Sequence, residues 1–245
     1  MIFLGCNNAI GIWKNVLVRL GMYPKGIVDS DYYGNTKRYA GIPVIGSEDN
    51  MEEVIEKYAK FSPDDSGNHK LWHTHFFIGT NWDPSGFLGK DLRDRNNAKR
   101  QKLIDIAEQY NLPMGSIIDP TAIVPNSVKL GKGVYIGAGA VIEPQVTIGD
   151  YTQIWYQTII GHKTKIGRDC VLQRRAGIWG ADMGDHVYMG IGSVYAGNYS
   201  TSKIRNNAWI HPGIGVHTRE IAEGETVTIR EQFKRRAQPL SLIHI

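Results

Sequence analysis

Residues 136–167 read IGAGAVIEPQVTIGDYTQIWYQTIIGHKTKIG, and within this stretch an isoleucine returns at every sixth position. Extended in both directions, the step of six runs from Ile118 to Ile178 and meets eleven aliphatic residues without a miss. Four places after each of the first ten the residue is small or β-branched, as at Ala140, Thr152 and Cys170. A period of six predicts a left-handed parallel β-helix of hexapeptide repeats, in which three units make one triangular coil.

The aliphatic side chains are expected to point into the prism. There, equivalent residues of successive coils stack and bury apolar surface that a single coil would leave exposed. Each buried aliphatic side chain contributes about 1.5–3 kcal/mol, so we expect Ile154→Asp to unfold the repeat. After Ile178 the period slips by one, resumes at Met183, and returns at Ile204 after a loop around residues 198–203. We attribute the glycine that follows many of the aliphatic residues to a sharp corner of the backbone, and these glycines lie at positions 131, 137, 149, 161 and 167.

The first half of the chain predicts a small α/β domain that begins with a strand, a helix and a second strand. The strand covers Ile2 to Gly5, and the next strand covers Gly26 to Asp29. Apolar residues at helical spacing mark three helices, and these are Ile10, Trp13, Leu17 and Leu20, then Met51, Val54, Ile55 and Tyr58, then Leu103, Ile106, Ala107 and Tyr110. A third strand is predicted at residues 75–79, and loops are predicted at residues 62–70 and 81–95.

The sequence therefore predicts an N-terminal α/β Rossmann-like domain over residues 1–115, a left-handed parallel β-helix over residues 116–230 and a C-terminal tail over residues 231–245. The last six residues, LSLIHI at 240–245, match the translation of a common transposase sequencing adapter. We treat this match as the hypothesis that the natural C-terminus is truncated there, and the six residues take no part in the fold prediction.

Composition and charge narrow the classes of partner. The formal net charge is +4. The densest basic runs lie at residues 99–102 and 234–236, and we interpret them as solvated helix faces. The sequence has no nucleic-acid motif. The N-terminal apolar run is short and has no basic segment before it, so we expect a cytoplasmic protein without a membrane partner. Cys6 and Cys170 belong to different predicted domains, which argues against a disulfide framework.

Four segments resemble a known family. The segments are Asp119-Pro120-Thr121-Ala122-Ile123-Val124 at the start of the hexapeptides, Phe77-Ile78-Gly79-Thr80-Asn81, Ile160-Gly161-His162 and Ile166-Gly167. Together they resemble the hexapeptide-repeat sugar O- and N-acetyltransferases of the sialic-acid and UDP-4-amino-sugar (bacillosamine) type. The resemblance implies a homotrimeric acyltransferase that moves an acetyl group from acetyl-CoA to an amino or hydroxyl group of a sugar or nucleotide-sugar, without a metal.

By this resemblance His162 is the general base that takes a proton from the acceptor, a task for which histidine is suited near neutral pH. His162 comes two residues after the inward Ile160, so its side chain is expected to point away from the core. The family usually has an acidic residue directly after this histidine, where this chain has Lys163, and some members have a second histidine where this chain has Val171. We hypothesise that Glu143, one coil earlier, lies beside the His162 ring in place of the missing acid.

The resemblance also implies the ligand contacts. Gly180, which stands one regular coil after His162 in the repeat, would offer its N–H to the oxyanion of the thioester carbonyl. Gly190 and Gly192 would line the pantetheine channel one coil further on, and Lys203 and Arg205 would contact the phosphates of CoA.

In the N-terminal domain the nucleotide-sugar would lie at the ends of the strands, where ligands bind in open α/β sheets. The residues assigned to it are Gly5, Asn7, Asn8 and Asp29.

Three alternatives compete with acyl transfer. The turn after the first strand lacks two of the three glycines of a dinucleotide-binding loop, which argues against NAD. A zinc carbonic anhydrase would need three converging histidines, yet the candidates occupy different places in the repeat, and these candidates are His162, His186, His211 and His217. A non-catalytic or degenerate β-helix scaffold is favoured by Lys163 and Val171.

Overall fold

A computed structural model describes residues 1–59, 61–63, 70–72, 74–80, 90–198, 202–217 and 220–229. The chain divides into two compact units, the first formed by residues 1–120 with 132–135 and the second by residues 121–131 with 136 onward. The domain bounds given above stay a prediction, and the proposed tail at 231–245, with its adapter-like end, lies outside the described residues. Within the described ranges, no helix is both long enough and apolar enough to cross a bilayer.

The first unit is a mainly parallel sheet with helices. Its elements are β1 (Ile2–Leu4), α1 (Ile10–Arg19), β2 (Gly26–Val28), β3 (Arg38–Tyr39), β4 (Ile42–Gly46), a 3-10 turn (Glu48–Asn50), α2 (Met51–Tyr58), β5 (Phe61–Pro63), β6 (Lys70–Trp72), β7 (Phe76–Ile78), α3 (Lys90–Gln109) and β8 (Ile117–Ile118).

The sheet order of this unit is β3-β4-β2-β1-β7, with β3 antiparallel to β4. Leu4 pairs with both Val28 and Ile78 in parallel register, so the carboxyl ends of β1, β2 and β7 meet at one edge. The side chain of Trp13 from α1 packs on Phe77, with ring centroids 5.3 Å apart. The strand–helix–strand opening predicted from the hydrophobic pattern is therefore present, and its carboxyl edge is where polar residues gather.

Three details of this unit differ from the prediction. Leu20 was expected on the buried face of the first helix, but α1 ends at Arg19 and Leu20 is 41% exposed. The predicted loop at 62–70 begins and ends within the antiparallel hairpin β5–β6. Residues 90–95 of the predicted loop at 81–95 belong to α3, and residues 81–89 lie outside the described ranges.

The second unit consists of short strands separated by turns. The strands are β9 (Lys129–Leu130), β10 (Tyr135–Ile136), β11 (Val141–Ile142), β12 (Thr147–Ile148), β13 (Gln153–Ile154), β14 (Ile159–Ile160), β15 (Lys165–Ile166), β16 (Val171–Leu172), β17 (Gly177–Trp179), β18 (Asp182–Met183), β19 (Tyr188–Met189), β20 (Val194–Ala196), β21 (Lys203–Ile204), β22 (Trp209–Ile210), β23 (Gly215–His217) and β24 (Thr226–Val227).

These strands pair in parallel with the equivalent strand of the next coil and form three faces. The first face is β11-β14-β17-β20-β23, the second is β9-β12-β15-β18-β21, and the third includes β13-β16-β19-β22-β24. The turns after the first face are called the histidine corner, and they lie at residues 143–146, 161–164 and 180–181. The turns before the first face are called the arginine corner, and they lie at residues 137–140, 155–158, 173–176, 190–193 and 211–214. The predicted parallel β-helix is confirmed.

The aliphatic ladder fills the prism. Its members from Ile136 to Ile178 are buried, whereas Ile118, Val124 and Leu130 at the start of the ladder are only half-buried. Ile160 pairs with Ile178, as a regular coil requires, whereas Ile178 pairs with Tyr195, so the coil between these last two is shorter by one position. The slip seen in the sequence is therefore absorbed within one coil, and the inward positions beyond it are again buried.

The glycines after the aliphatic residues serve a purpose other than the one inferred from sequence. None of those at 131, 137, 149, 161 and 167 is among the residues with positive φ. A Cβ added at Gly149 would lie 2.5 Å from the carbonyl carbon of Gly167 in the next coil. Close approach of successive coils therefore requires glycine at 131, 149, 161 and 167. The corner itself is turned two residues later by left-handed residues such as Tyr151 and Lys163, both with φ of 59°.

Candidate active site

His162 stands at the histidine corner, directly after Gly161, and it contacts Glu143 of the preceding coil. Ile142 pairs with Ile160, which brings the residues that follow them to the same corner. The backbone N–H of His162 donates to Oε2 of Glu143 at 2.7 Å, and Nδ1 of the imidazole lies 2.9 Å from the same oxygen. One carboxylate oxygen therefore holds both the backbone and the ring of this histidine.

The Glu143–His162 pair is open to solvent, with side-chain exposures of 43% and 52%. Hydrogen bonds from the His162 ring and backbone lower the pKa of the Glu143 carboxyl. Glu143 is therefore an anion near neutral pH. A neutral imidazole that donates its Nδ1–H to this anion carries its lone pair on Nε2, which is the atom that accepts a proton in general-base chemistry.

Lys163 and Val171 occupy the two positions where the resembling family has further polar groups. Lys163 adopts a left-handed conformation and donates its backbone N–H to Pro144 O at 3.2 Å. Val171 is fully buried in β16 on the third face. At this corner, the carboxylate beside His162 comes from the preceding coil.

Gly180 lies on the histidine corner one coil beyond His162, with φ of +66°. The next residue of this stack is Gly197, whose N–H donates to Trp179 O at 2.9 Å. Gly190 and Gly192 were expected one coil beyond Gly180, and this placement is wrong. Gly192 donates its N–H to Arg174 O at 3.0 Å and lies on the arginine corner.

Lys203 and Arg205 belong to neither of these two corners. Lys203 is exposed on β21 of the second face, and Arg205 donates from Nε to the Glu220 carboxylate at the turn after it. Within one chain the five residues assigned to CoA therefore fall on different faces and corners of the prism, and of these only Gly180 shares a corner with His162.

The carboxyl edge of the N-terminal sheet is organised around Asp29, which is fully buried. Its Oδ2 accepts the N–H of Cys6 at 2.8 Å, and its Oδ1 accepts the N–H of Asp31 at 2.9 Å and Nζ of Lys99 at 2.8 Å. Burial alone would lower the pKa of the Lys99 ammonium, but hydrogen bonds to Asp29 and Asp31 outweigh it and raise that pKa. Burial next to Asp29 raises the pKa of the Cys6 thiol, which is therefore neutral.

The remaining predicted residues of this edge lie in the loop after β1. Gly5 has φ of +74°, and a Cβ there would lie 2.5 Å from Cδ1 of Leu103, so only glycine fits. Asn7 accepts the N–H of Ala9 through Oδ1 at 2.9 Å and ends the loop where α1 begins. Asn8 is exposed and accepts a 3.4 Å hydrogen bond from the hydroxyl of Tyr39.

The basic run at 99–102 was interpreted as a solvated helix face, which is wrong for its first two members. Lys99 is paired with Asp29, and Arg100 is 1% exposed and donates to Thr80 O at 2.5 Å. Because Thr80 follows β7, both cations lie at the carboxyl edge of the sheet. The apolar residues at 103, 106 and 107 place this side of α3 against the sheet, which was the signal available in the sequence.

The four histidines weighed for zinc are separated by the fold. His162 is at the histidine corner, and His211 follows β22 at the arginine corner. His186 lies at the third corner, between the second and third faces, where its Nδ1 is 3.3 Å from Asp169. His217 ends β23, three coils beyond the level of His162. In the part of the chain that the structure describes, no three histidine, cysteine, aspartate or glutamate side chains are grouped as metal ligands.

Both curated proteins and solved structures are similar to this chain. No protein-family model matches the chain. A probable carbonic anhydrase of Methanocaldococcus jannaschii is 38% identical over 77 residues, which cover 28% of this chain and 48% of that protein. The chain thus spans about half the length of the curated relative it matches.

The similar solved structures cover nearly the whole chain. One is a histidine-to-asparagine variant of perosamine N-acetyltransferase from Caulobacter crescentus in complex with CoA and GDP-perosamine, with 22% identity, a TM-score of 0.73, and coverage of 92% of this chain and 91% of that one. WeeI from Acinetobacter baumannii has 19% identity and a TM-score of 0.69 over 94% and 97% of the two chains. The acetyltransferase domain of PglB from Neisseria gonorrhoeae has 17% identity and a TM-score of 0.68 over 92% and 94%. The chain therefore has the fold of these three proteins, and the fold predicted from its resemblance to the sugar acetyltransferases is confirmed.

Proposed function

We propose that this protein is an acetyl-CoA-dependent acyltransferase that acts on an amino or hydroxyl group of a nucleotide-sugar, with His162 as the general base. The observation that carries the proposal is the contact of Nδ1 of His162 with Oε2 of Glu143 at 2.9 Å. It gives an exposed imidazole the orientation and the anionic partner that proton abstraction requires. A likeness to structures that hold CoA and GDP-perosamine supports the same class of substrates.

In the proposed reaction the nitrogen or oxygen of the acceptor attacks the thioester carbon of acetyl-CoA, and Nε2 of His162 takes the proton from that nitrogen or oxygen. Charge develops on the carbonyl oxygen, where the N–H of Gly180 is the proposed donor. When the C–S bond breaks, the proton held by His162 passes to the leaving CoA sulfur. Glu143 remains ionised throughout and acts as a positioning residue that holds the ring in one tautomer.

We propose the carboxyl edge of the N-terminal unit, interpreted as Rossmann-like, as the place where the nucleotide-sugar binds. Gly5, Asn7 and Asn8 would face the ligand from the loop after β1, and Asp29 would hold that loop through the N–H of Cys6. The CoA roles assigned to Gly190, Gly192, Lys203 and Arg205 stay predictions. Acetyl-CoA is the proposed co-substrate, and no step of the reaction uses a metal.

A homotrimer is proposed from the first face of the prism. Its outward ladder is apolar and exposed, since Ile123 and Ile159 are 60% and 49% exposed with Val141 stacked between them. The corresponding ladder of the second face is polar, with Lys129, Thr147 and Lys165 in register. An apolar stripe of this kind on one face of a rigid prism is expected to be covered by further copies of the chain around a threefold axis.

The test is release of CoA thiol from acetyl-CoA in the presence of a panel of nucleotide-sugars with and without a free amino group. We expect turnover with at least one acceptor and a loss of kcat of about 10²–10⁴-fold in His162→Asn, since general-base catalysis contributes about that factor. His217→Asn, an exposed histidine at another level of the prism, is the matched control and should keep full activity. Equal rates for wild type and His162→Asn would reject the assignment, and no turnover with any acceptor would favour the scaffold alternative.

Carbonic anhydrase activity is the second candidate, because the curated relative carries that name over its 77 matched residues. The positions of His162, His186 and His211 on three different corners argue against it within a single chain. Elemental analysis of the purified protein, followed by a CO₂ hydration assay on the zinc-loaded sample, separates the two candidates. Stoichiometric zinc with fast hydration would replace the acyltransferase proposal.

A further inference from the structure

A groove of about 460 Å³ opens at the arginine corner of the prism. It crosses four successive coils, and its lining residues are Ala138, Tyr156, Gln157, Arg174, Arg175 and Ile191. The volume lies within the range of pockets that hold small organic ligands. None of these residues was singled out in the sequence, although two adjacent arginines after the inward Leu172 are a visible signal.

Arg174 is held in place by two aromatic rings. Its guanidinium carbon lies 5.2 Å from the ring centroid of Trp155 and 5.5 Å from that of Tyr156. Cation–π contacts of this kind hold the guanidinium next to the rings and leave its N–H groups able to donate to a ligand. Such an arrangement suits the oxygens of a phosphate.

Arg175 lies beside Arg174 and is also supported by the coil before it. Its Nε donates to Oε1 of Gln157 at 3.1 Å, and its backbone N–H donates to Tyr156 O at 2.9 Å. Gly192 of the following coil donates to Arg174 O at 3.0 Å. The backbone under both arginines is therefore fixed by hydrogen bonds to the coils on either side, so ligand binding would cost little ordering of the site.

Neither arginine has a counter-ion among the residues that the structure describes: the described contacts of Arg174 and Arg175 are those given above. Two neighbouring positive charges without a carboxylate attract a ligand that carries at least two negative charges. Ile191, which is 47% exposed, and Ala138 add apolar surface to the same groove. The groove thus combines a site for phosphate with surface for an uncharged organic part.

We propose that this groove binds the diphosphate of a nucleotide, with Arg174 and Arg175 as its phosphate contacts. The inference rests on the proposed function, in which both substrates carry a diphosphate: acetyl-CoA through its 3′-phosphoadenosine diphosphate, and the nucleotide-sugar through its sugar diphosphate. The shared chemistry is a diphosphate ester, and the choice between the two sources belongs to the experiment.

The experiment is isothermal titration of the full chain with CoA, dephospho-CoA, GDP and UDP as separate probes. The variant is Arg174→Gln with Arg175→Gln, and glutamine is tolerated at the left-handed position 175 because Gln157 adopts the same conformation one coil earlier. Lys129→Gln removes an exposed charge from the second face and is the matched control. Circular dichroism and the two single variants guard against loss of the fold.

We expect the double variant to bind one of the probes about tenfold more weakly, or worse, with no change in the control. The difference should shrink at high salt, because the contacts are charged. A loss with CoA and dephospho-CoA alike identifies the donor, and a loss with GDP or UDP identifies the nucleotide-sugar. Wild-type protein that binds none of the four probes, or a double variant that binds all of them as wild type does, would overturn the proposal. Acetyl transfer is measured on the same samples, so that failure of this proposal can be told from failure of the proposed function. A protein without transferase activity can still lose diphosphate binding in the double variant.

Discussion

Oε2 of Glu143 lies 2.9 Å from Nδ1 of His162 and 2.7 Å from its backbone nitrogen, although the two residues are separated by 19 positions in the chain. The contact joins successive coils at one corner of the prism. The acidic partner of His162 is therefore supplied by the preceding coil, whereas the residue that follows His162 in the chain is Lys163.

The first prediction concerns Glu143. Glu143→Gln keeps the size of the side chain and removes the charge that holds the His162 ring, so kcat should fall about ten- to a hundredfold with little change in KM. Steady-state kinetics of acetyl transfer measure both constants. Glu143→Asp should recover part of the loss, and Glu223→Gln, an exposed glutamate elsewhere on the prism, should have no effect. A wild-type kcat in Glu143→Gln would remove the positioning role.

The second prediction concerns pH and the His186–Asp169 pair, whose Nδ1 and Oδ2 atoms lie 3.3 Å apart. The hydrogen bond to Asp169 is the main cause that raises the pKa of His186, with Asp185 adding to it while burial and Arg168 oppose it. Because the folded-state pKa is raised, the pair stabilises the fold fully below the ordinary histidine pKa and loses this contribution as the pH rises through the raised value.

Thermal melts from pH 5 to 9 should therefore show a Tm advantage of wild type over His186→Asn on the acidic side that fades toward the alkaline side. Asparagine is chosen because residue 186 has φ of 54° and asparagine tolerates this conformation. The corresponding difference in the free energy of unfolding should be about 1 kcal/mol or less, because the His186 side chain is partly exposed. A Tm difference that is constant over this range would contradict the prediction.

The third prediction tests why glycine follows the aliphatic residues. Gly149→Ala places a Cβ 2.5 Å from the carbonyl carbon of Gly167, and the two coils must separate to admit it. The free energy of unfolding should fall by about 1–3 kcal/mol, measured by urea denaturation. Gly11→Ala is the control, because a Cβ at Gly11 of α1 has no heavy atom within 4 Å, and it should raise stability by about 0.5–1 kcal/mol. Unchanged stability in Gly149→Ala would mean that the coils are not in close contact there.

The fourth prediction concerns Lys99, which neutralises the fully buried Asp29. Lys99→Met leaves a buried carboxylate without its cation and should lower the free energy of unfolding by about 3 kcal/mol. Lys102→Met, an exposed lysine on the same helix, should be close to wild type in the same urea titration. The double variant Lys99→Met with Asp29→Asn should regain part of the loss, and its failure to do so would show that the charge is not the cause.

The fifth prediction concerns the assembly. Ile159→Lys puts a charge into the exposed apolar ladder of the first face, and light scattering should then report a monomer where wild type gives a trimer. Thr147→Lys makes the same change of charge on the polar ladder of the second face and should leave the trimer intact. A monomeric wild-type protein, or a trimer that survives Ile159→Lys, would reject the first face as the interface.

Much of the fold could be predicted because its information is local and repeated. The step of six from Ile118 to Ile178 places every inward side chain without any knowledge of which coils touch. The same holds for the opening of the N-terminal unit, where short apolar runs and a helical stripe ending in Leu17 are enough. The helix end before Leu20 was missed because Leu20 continues the apolar helical spacing one place too far, and β5 and β6 were missed because these three-residue strands border a polar stretch that resembles a loop.

The candidate site depends more than the fold does on contacts between residues that are distant along the chain. His162 and Glu143 were found from the repeat, because both belong to regular coils before the slip. Gly190 and Gly192 were misplaced because they stand only 10 and 12 positions after Gly180, about two-thirds of a coil, which puts them at the arginine corner. The glycine stacked on Gly180 is Gly197, since the coil from Ile178 to Tyr195 is one position shorter than the regular 18. A small change in the length of one coil moves every later residue around the prism, and only the pairing of neighbouring strands reveals it.

The period of six and the inward ladder follow from the order of amino acids, since each coil repeats the same local requirement. The carboxylate of Glu143 against His162, the ammonium of Lys99 against buried Asp29, and the two arginines beside Tyr156 follow from the folded state. These contacts join residues that are distant along the chain, and a charge or a hydrogen bond gains its strength from separation in space and from burial. The chain order therefore specifies the prism, and the stacking of its coils specifies the chemistry at its corners.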